Sequence, residues 1–281
     1  MPPRTPPPPG QLKLLALDLD GTLLRRDQTV GPRTIRALQA AHARGVKIAF
    51  NSGRMAPAME EPARQVGLDV YQISYNGASV RDLAARGRAR LYEQTMPLEV
   101  ARELALLARS RTLQLNYYLD EHVWCEARPE LRPFVELYES RTGSPFRYVE
   151  RIEEVLDRAP YKVLFVVEPR VRDELLEELE PRYAGRATVT RTDPEYLEFL
   201  HPQVDKGVGL RALAATLGLE MSAVMAVGDS FNDTPMLAAA GWGVAVANAA
   251  PPTRAAAAAV TAADCDQDGV AEAVERYLLE S

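Results

Sequence analysis

The sequence predicts an α/β fold: a doubly wound, Rossmann-like parallel sheet interrupted by an inserted α+β domain. Three observations point there. Short apolar runs rich in β-formers recur at residues 12–19, 46–50, 223–227 and 244–247, the pattern of strands buried on both faces of a parallel sheet. Helical patterns lie between them at 33–43, 57–66 and 207–217, closed by Gly45, Gly67 and Gly218, residues suited to a left-handed C-cap. A chain of 281 residues also exceeds the size one hydrophobic core usually supports, which favours two domains.

Taken in order, residues 1–10 (MPPRTPPPPG) lack an apolar signal-peptide core and are expected to form a disordered, proline-rich leader, extended and solvated. The run at 12–19 supplies the first core strand and 46–50 the second, with a helix after each. Residues 78–83 and 90–94 read as paired strands around Arg86-Gly87, followed by a helix at 97–108. Strands at 113–119, 123–126, 162–168, 188–192 and 196–200 and helices near 130–140 and 171–179 come next. Several of these strands adjoin without an intervening helix, so an antiparallel α+β insert, a cap, is expected over 83–192, with the core built from 11–82 and 193–281. The alanine-rich stretch 255–259 reads as helix.

Composition excludes several function classes. Hydrophobic residues make up 47% and charged residues 26%, near globular averages. A net charge of −6 lacks the basic surplus of a nucleic-acid binder. No apolar run approaches the roughly 20 residues needed to span a bilayer, so a cytoplasmic protein is expected. Cys125 and Cys265 lie far apart with no metal-ligand spacing, which suggests neither zinc nor a disulfide framework. His42, His122 and His201 are scattered and read as surface or satisfied residues.

In an open parallel sheet, ligands bind beyond the carboxyl ends of the strands. That rule selects Asp18 and Asp20, then Asn51, Ser52, Gly53 and Arg54, then Gly228, Asp229, Asn232 and Asp233. Alternation along a strand puts Asp18 and Asp20 on one side and Leu19 on the other. Two crowded carboxylates are costly without a cation, and Mg²⁺, which prefers oxygen ligands, suits Asp18 and Asp229. Asp18 within reach of a phosphorus atom can act as nucleophile, leaving Asp20 to donate and recover a proton. Phosphoryl transfer also needs donors and positive charge, which Ser52, the Gly53 amide and Lys206 supply, with the Asn232 amide nearby. Arg54 is read either as part of this site or as half of a structural ion pair.

The ordered segments DLDGTLL at 18–24, SGR at 52–54, NGA at 76–78, DKG at 205–207, GDSFNDTPML at 228–237 and VTAADCDQDGVAEAV at 260–274 resemble the motifs of the haloacid dehalogenase-like superfamily, most closely its Cof-type branch. The resemblance implies a Mg²⁺-dependent phosphatase acting through an aspartyl-phosphate. In it Asp18 is nucleophile and metal ligand, Asp20 is acid/base and binds metal through its backbone carbonyl, Asp229 completes the protein ligands, and Asp233 supports them. Ser52 and Lys206 then bind the transferring group, with Asn232 nearby, and the insert corresponds to a type IIB cap. Ala247 departs from the pattern, which places glycine before the asparagine. The expected partner is a small phosphorylated metabolite, with sugar phosphates first and nucleotide, flavin and pyridoxal phosphates open, in a monomer or homodimer. Two other readings are a phosphomutase and a noncatalytic phosphate-binding module.

Overall fold

The computed structural model describes residues 5–8, 10–83, 89–144 and 146–280. Residues 1–4 and 9 of the leader and the Arg86-Gly87 turn lie outside the described residues. The chain divides into two compact units, Met1–Glu93 with Asp205–Ser281, and Gln94–Val204.

The first unit begins with β1 (Leu14–Leu17), α1 (Pro32–Ala43), β2 (Lys47–Asn51), α2 (Glu60–Val66), β3 (Tyr71–Ser74) and the pair β4 (Ser79–Asp82) and β5 (Arg90–Glu93). The second unit holds α3 (Leu98–Ser110), β6 (Gln114–Leu119), β7 (His122–Glu126), α4 (Arg132–Thr142), β8 (Phe146–Val149), β9 (Lys162–Val166), α5 (Pro169–Arg182), β10 (Thr188–Arg191) and β11 (Tyr196–Leu200). The first unit then resumes with α6 (Lys206–Thr216), β12 (Val224–Gly228), α7 (Thr234–Ala239), β13 (Trp242–Ala245), α8 (Pro251–Ala256), β14 (Ala259–Val260) and α9 (Gly269–Val274).

In the first unit the sheet runs β14-β13-β12-β1-β2-β3-β4-β5. The pairs from β14 to β3 are parallel and the last two are antiparallel. Side-chain alternation along β1 sends Leu15 and Leu17 into one apolar cluster with Leu38 of α1 and Val270 of α9. Leu14 and Ala16 enter the opposite cluster with Leu210 and Leu213 of α6 and Met236 of α7. Helices thus cover both faces, and this is why the strands read as continuous apolar runs rather than alternating ones. The parallel sheet flanked by helices is the doubly wound α/β core expected from the sequence.

Three details differ from the pattern read along the chain. The β4–β5 hairpin extends the core sheet, with Ile73 opposite Val80, instead of opening the insert. β11 pairs with β9, so residues 196–200 belong with the second sheet, and the second unit begins and ends later than the 83–192 span. The alanine-rich stretch is not one helix: α8 ends at Ala256 and Ala259 pairs with Val244 of β13. Sheet pairing there overrides helix propensity.

The second unit's sheet has the order β10-β11-β9-β6-β7-β8 and is antiparallel except between β7 and β8. One face, with Leu115, Val163, Phe165 and Phe199, packs on Leu104 of α3 and Leu179 of α5. In the same sheet Lys162 Nζ donates to Glu198 Oε1 at 2.8 Å in a buried pair. No helix among the described residues is long and apolar enough to cross a membrane.

Candidate active site

Four segments of the first unit meet at the carboxyl edge of its parallel strands. Asp18 follows β1 directly, and its amide continues the ladder by donating to Val227 O at 3.0 Å. Asp229 follows β12, and Lys206 opens α6. That helix starts where it does because Asp205 caps it, its Oδ1 accepting from the Val208 amide at 2.7 Å. The cap places Lys206 in the first turn with its side chain buried.

Lys206 Nζ donates to Asp18 Oδ1 and Asp233 Oδ1, both at 2.5 Å. The other oxygen of Asp233 accepts the amides of Asp229 at 2.9 Å and Ser230 at 2.8 Å. Asp233 is therefore fully engaged and holds the turn that presents Asp229. Gly228 is required in that turn, since a Cβ there would lie 2.6 Å from Asp233 Cβ. On the other side, Thr22 Oγ1 donates to Asp229 Oδ1 at 2.8 Å. Gly21 sits at φ +78°, and a Cβ on it would meet Asp229 Oδ2 at 2.7 Å, so glycine alone permits this approach.

Carboxylate oxygens of Asp18, Asp229 and Asp233 lie within 4.8 Å of one another. Burial, then the neighbouring Asp233 carboxylate, drives the Asp18 pKa well above the ordinary range, with Lys206 pulling the other way. Burial likewise raises Asp229, against the hydrogen bond from Thr22. Burial opposes the Lys206 ammonium, but Asp18 and Asp233 outweigh it and hold its pKa above the usual lysine value. Three carboxylates thus outnumber one ammonium by two charges. The donors are all hard oxygens, the excess charge is that of a divalent cation, and Asp18 Oδ2 has no hydrogen-bond partner among the described residues. Asp18 and Asp229 could hold such an ion while Lys206 and Asp233 retain their bonds.

The remaining candidates form a second group. Ser52 is buried, its amide donating to Ile73 O at 2.9 Å and its carbonyl accepting from the Asn76 amide at 3.0 Å. A Cβ on Gly53 would lie 3.1 Å from Asn76 Oδ1, and the same oxygen accepts from Asn232 Nδ2 at 3.1 Å. Asn76 adopts φ 55°, ψ 33°, and Asn tolerates this left-handed conformation better than most residues. Its amide holds Ser52, and its side chain lies against Gly53 and Asn232. Asp20 contributes no carboxylate to the Asp18 group: its Oδ2 accepts from Arg54 Nε at 2.8 Å and its Oδ1 from Arg54 Nη2. Arg54 thus forms an ion pair, and its partner Asp20 is itself a candidate site residue, so the two readings of Arg54 do not exclude each other.

Thr22 and Asn76 were not assigned from the sequence, and Asn51 was selected by its place after the second apolar run without a role. Asn51 Nδ2 donates to Lys206 O at 2.9 Å and ties β2 to α6. The NGA and DGT motifs were the only signal for Asn76 and Thr22. Ala247, the departure from the motif, has no left-handed backbone, so its methyl adds no conformational strain.

Comparison with known proteins accords with this geometry. The family model described as haloacid dehalogenase-like hydrolase matches residues 15–274. An HMP-PP phosphatase of Yersinia pseudotuberculosis is 30% identical over 267 residues, covering 95% of each chain. An HMP-PP phosphatase of Cronobacter sakazakii is 31% identical over 240 residues, 85% of each chain. Among solved structures, a haloacid dehalogenase-like hydrolase from Bacteroides thetaiotaomicron superposes with a TM-score of 0.85 at 29% identity, covering 94% of this chain and 99% of the other.

Proposed function

The chain belongs to the haloacid dehalogenase-like hydrolase family and is a phosphatase, and we propose that it hydrolyses a small phosphomonoester through an aspartyl-phosphate on Asp18, with Mg²⁺ as cofactor. The observation that carries this reading is the Lys206-Asp18-Asp229 cluster, where a buried nucleophile candidate lies beside a fixed ammonium and a cation-poor pair of carboxylates. Bound Mg²⁺ would neutralise the two surplus charges and draw electron density from the phosphoryl oxygens.

Lys206 takes one acceptor site of Asp18 Oδ1, which leaves that oxygen a second site for the metal, and the oxygen assigned to attack is Oδ2. It forms a bond to phosphorus as the ester P–O bond breaks, and Asp20 gives its proton to the departing alkoxide. Water then forms a P–O bond while the bond to Asp18 breaks, restoring its carboxylate, and the water proton passes to Asp20. Ser52, the Gly53 amide and Asn232 are assigned to the nonbridging oxygens, where charge builds in the transition state. Lys206 keeps the buried site electrically competent for a dianion. The residues that would hold the metal are Asp18, Asp229 and, through its carbonyl, Asp20, with Asp233 supporting them.

The second unit is assigned as the cap, and sugar phosphates are the first substrate class, followed by HMP-PP, the compound named in the relatives. The two cysteines are free and buried, as expected of a cytoplasmic protein. The test is phosphate release from an aryl phosphate and from sugar, nucleotide, flavin and pyridoxal phosphates and HMP-PP. Wild type should release phosphate with Mg²⁺ and not with EDTA, and Asp18→Asn should release none. Equal release by the variant would refute the assignment of Asp18.

A further inference from the structure

Asp20 projects half-exposed at the end of β1, and among the described residues its carboxylate has one hydrogen-bonding partner, Arg54. The guanidinium grips both oxygens, Nε on Oδ2 and Nη2 on Oδ1. Arg54 is itself tied down from several directions. Nη2 also donates to Gln28 Oε1 at 2.6 Å, and Nη1 reaches Ala58 O at 3.4 Å. Its amide donates to Ser52 Oγ at 3.2 Å and its carbonyl accepts from the Tyr75 amide at 3.1 Å. The arginine thus stands on the same loop as Ser52 and Gly53, and its nitrogens are spent on Asp20, Gln28 and Ala58.

We propose that Arg54 is a positioning residue: it fixes the Asp20 carboxylate in the orientation from which that group exchanges protons with the leaving group and with water. The proposal rests on the acid/base assignment of Asp20 made above. A half-exposed aspartate without a partner samples several rotamers, whereas proton transfer requires a heavy-atom separation of about 2.6–3.2 Å. The bidentate fork removes that freedom. It also leaves the chemistry open, because an ionised carboxylate has about four acceptor sites and Arg54 takes two of them. In each half-reaction one proton leaves or joins a remaining site while the Arg54 bonds persist. A pair this exposed adds little to stability, so its consequence falls on turnover.

The test is a double-mutant cycle between Arg54→Gln and Asp20→Asn, read by steady-state and single-turnover hydrolysis of an aryl phosphate in Mg²⁺, with KM and inhibition by inorganic phosphate measured alongside. Arg54→Gln should lower kcat about tenfold to a hundredfold, with KM, phosphate inhibition and melting temperature nearly unchanged. On the Asp20→Asn background the same change should cost less than about twofold, because the group it positions is gone. Arg54→Lys, which offers a point charge in place of a fork, should recover only part of the loss. Multiplying losses in the double variant would overturn the inference while leaving Asp20 as acid/base. So would a raised KM and weakened phosphate inhibition at unchanged kcat, which would make Arg54 a phosphate ligand. An Asp20→Asn variant as fast as wild type would overturn the acid/base assignment and this inference with it.

Discussion

Replacing Lys206 with methionine probes the charge arrangement of the site most sharply. The ammonium is buried and donates at 2.5 Å to both Asp18 and Asp233. Methionine fills similar volume but leaves two buried carboxylates without their cation. Removing one partner of a buried pair costs about 3–5 kcal/mol, against a total stability of about 5–15 kcal/mol for a typical domain. Urea unfolding in EDTA should therefore show the midpoint falling by about 1–2 M at ordinary denaturant slopes. The two tryptophans allow the units to be followed separately, because Trp242 lies in β13 of the first unit and Trp124 in β7 of the second. In a Trp124→Phe background the remaining fluorescence reports the unit that holds Lys206. Adding Asp18→Asn to Lys206→Met should restore part of the loss by removing one uncompensated charge. Mg²⁺ should stabilise Lys206→Met more than wild type, while turnover stays at least about a hundredfold down for want of transition-state charge stabilisation. An unfolding free energy within about 1 kcal/mol of wild type, with turnover intact, would show that Lys206 is not the buried counter-charge described here.

Two further outcomes follow from the same geometry. Gly21→Ala places a methyl against Asp229 Oδ2 on a left-handed backbone. It should cost about 1–2 kcal/mol in conformation and weaken Mg²⁺ binding about 10- to 100-fold by calorimetric titration; unchanged affinity would contradict the role of Asp229. The raised Asp18 pKa, caused first by burial and then by Asp233, makes the folded metal-free chain bind protons more readily than the unfolded one. Its contribution to stability therefore falls as pH rises from the ordinary carboxylate range through the raised value. Asp18→Asn removes that penalty, so its melting temperature in EDTA should exceed that of wild type at neutral pH and the gap should close as pH falls below about 4. A gap that does not vary with pH would count against the shift.

Much of this site was legible because strand ends in a parallel sheet are functional positions by geometry, and the polar residues that follow the apolar runs are few. Asp18, Ser52 and Asp229 were picked out that way, and Lys206 by the need for positive charge beside a phosphoryl group. Asn76 and Thr22 were not, because their roles exist only through contacts 156 and 207 residues away in sequence. The strand β3 was missed because Tyr71–Ser74 is four residues long and half polar, too short for periodicity to register. The second hairpin strand, 90–93, was assigned to the insert because antiparallel pairing is visible locally, whereas the sheet the hairpin joins depends on the register of β4 with β3. The engagement of Asp20 by Arg54 was equally hidden: alternation orients a side chain only while the strand continues, and β1 stops at Leu17.

The central claim is that Asp18 becomes covalently phosphorylated. Rapid acid quench during hydrolysis of an aryl phosphate, followed by proteolysis and mass spectrometry, tests it directly. Wild type with Mg²⁺ should yield a phosphorylated peptide carrying the modification on Asp18, enriched in an Asp20→Asn variant that forms the aspartyl-phosphate as the aryl oxide departs but discharges it slowly. Phosphate release at full rate with no phosphorylated Asp18 peptide at any quench time would mean that water attacks the substrate directly, and the assignment of Asp18 as nucleophile would be wrong.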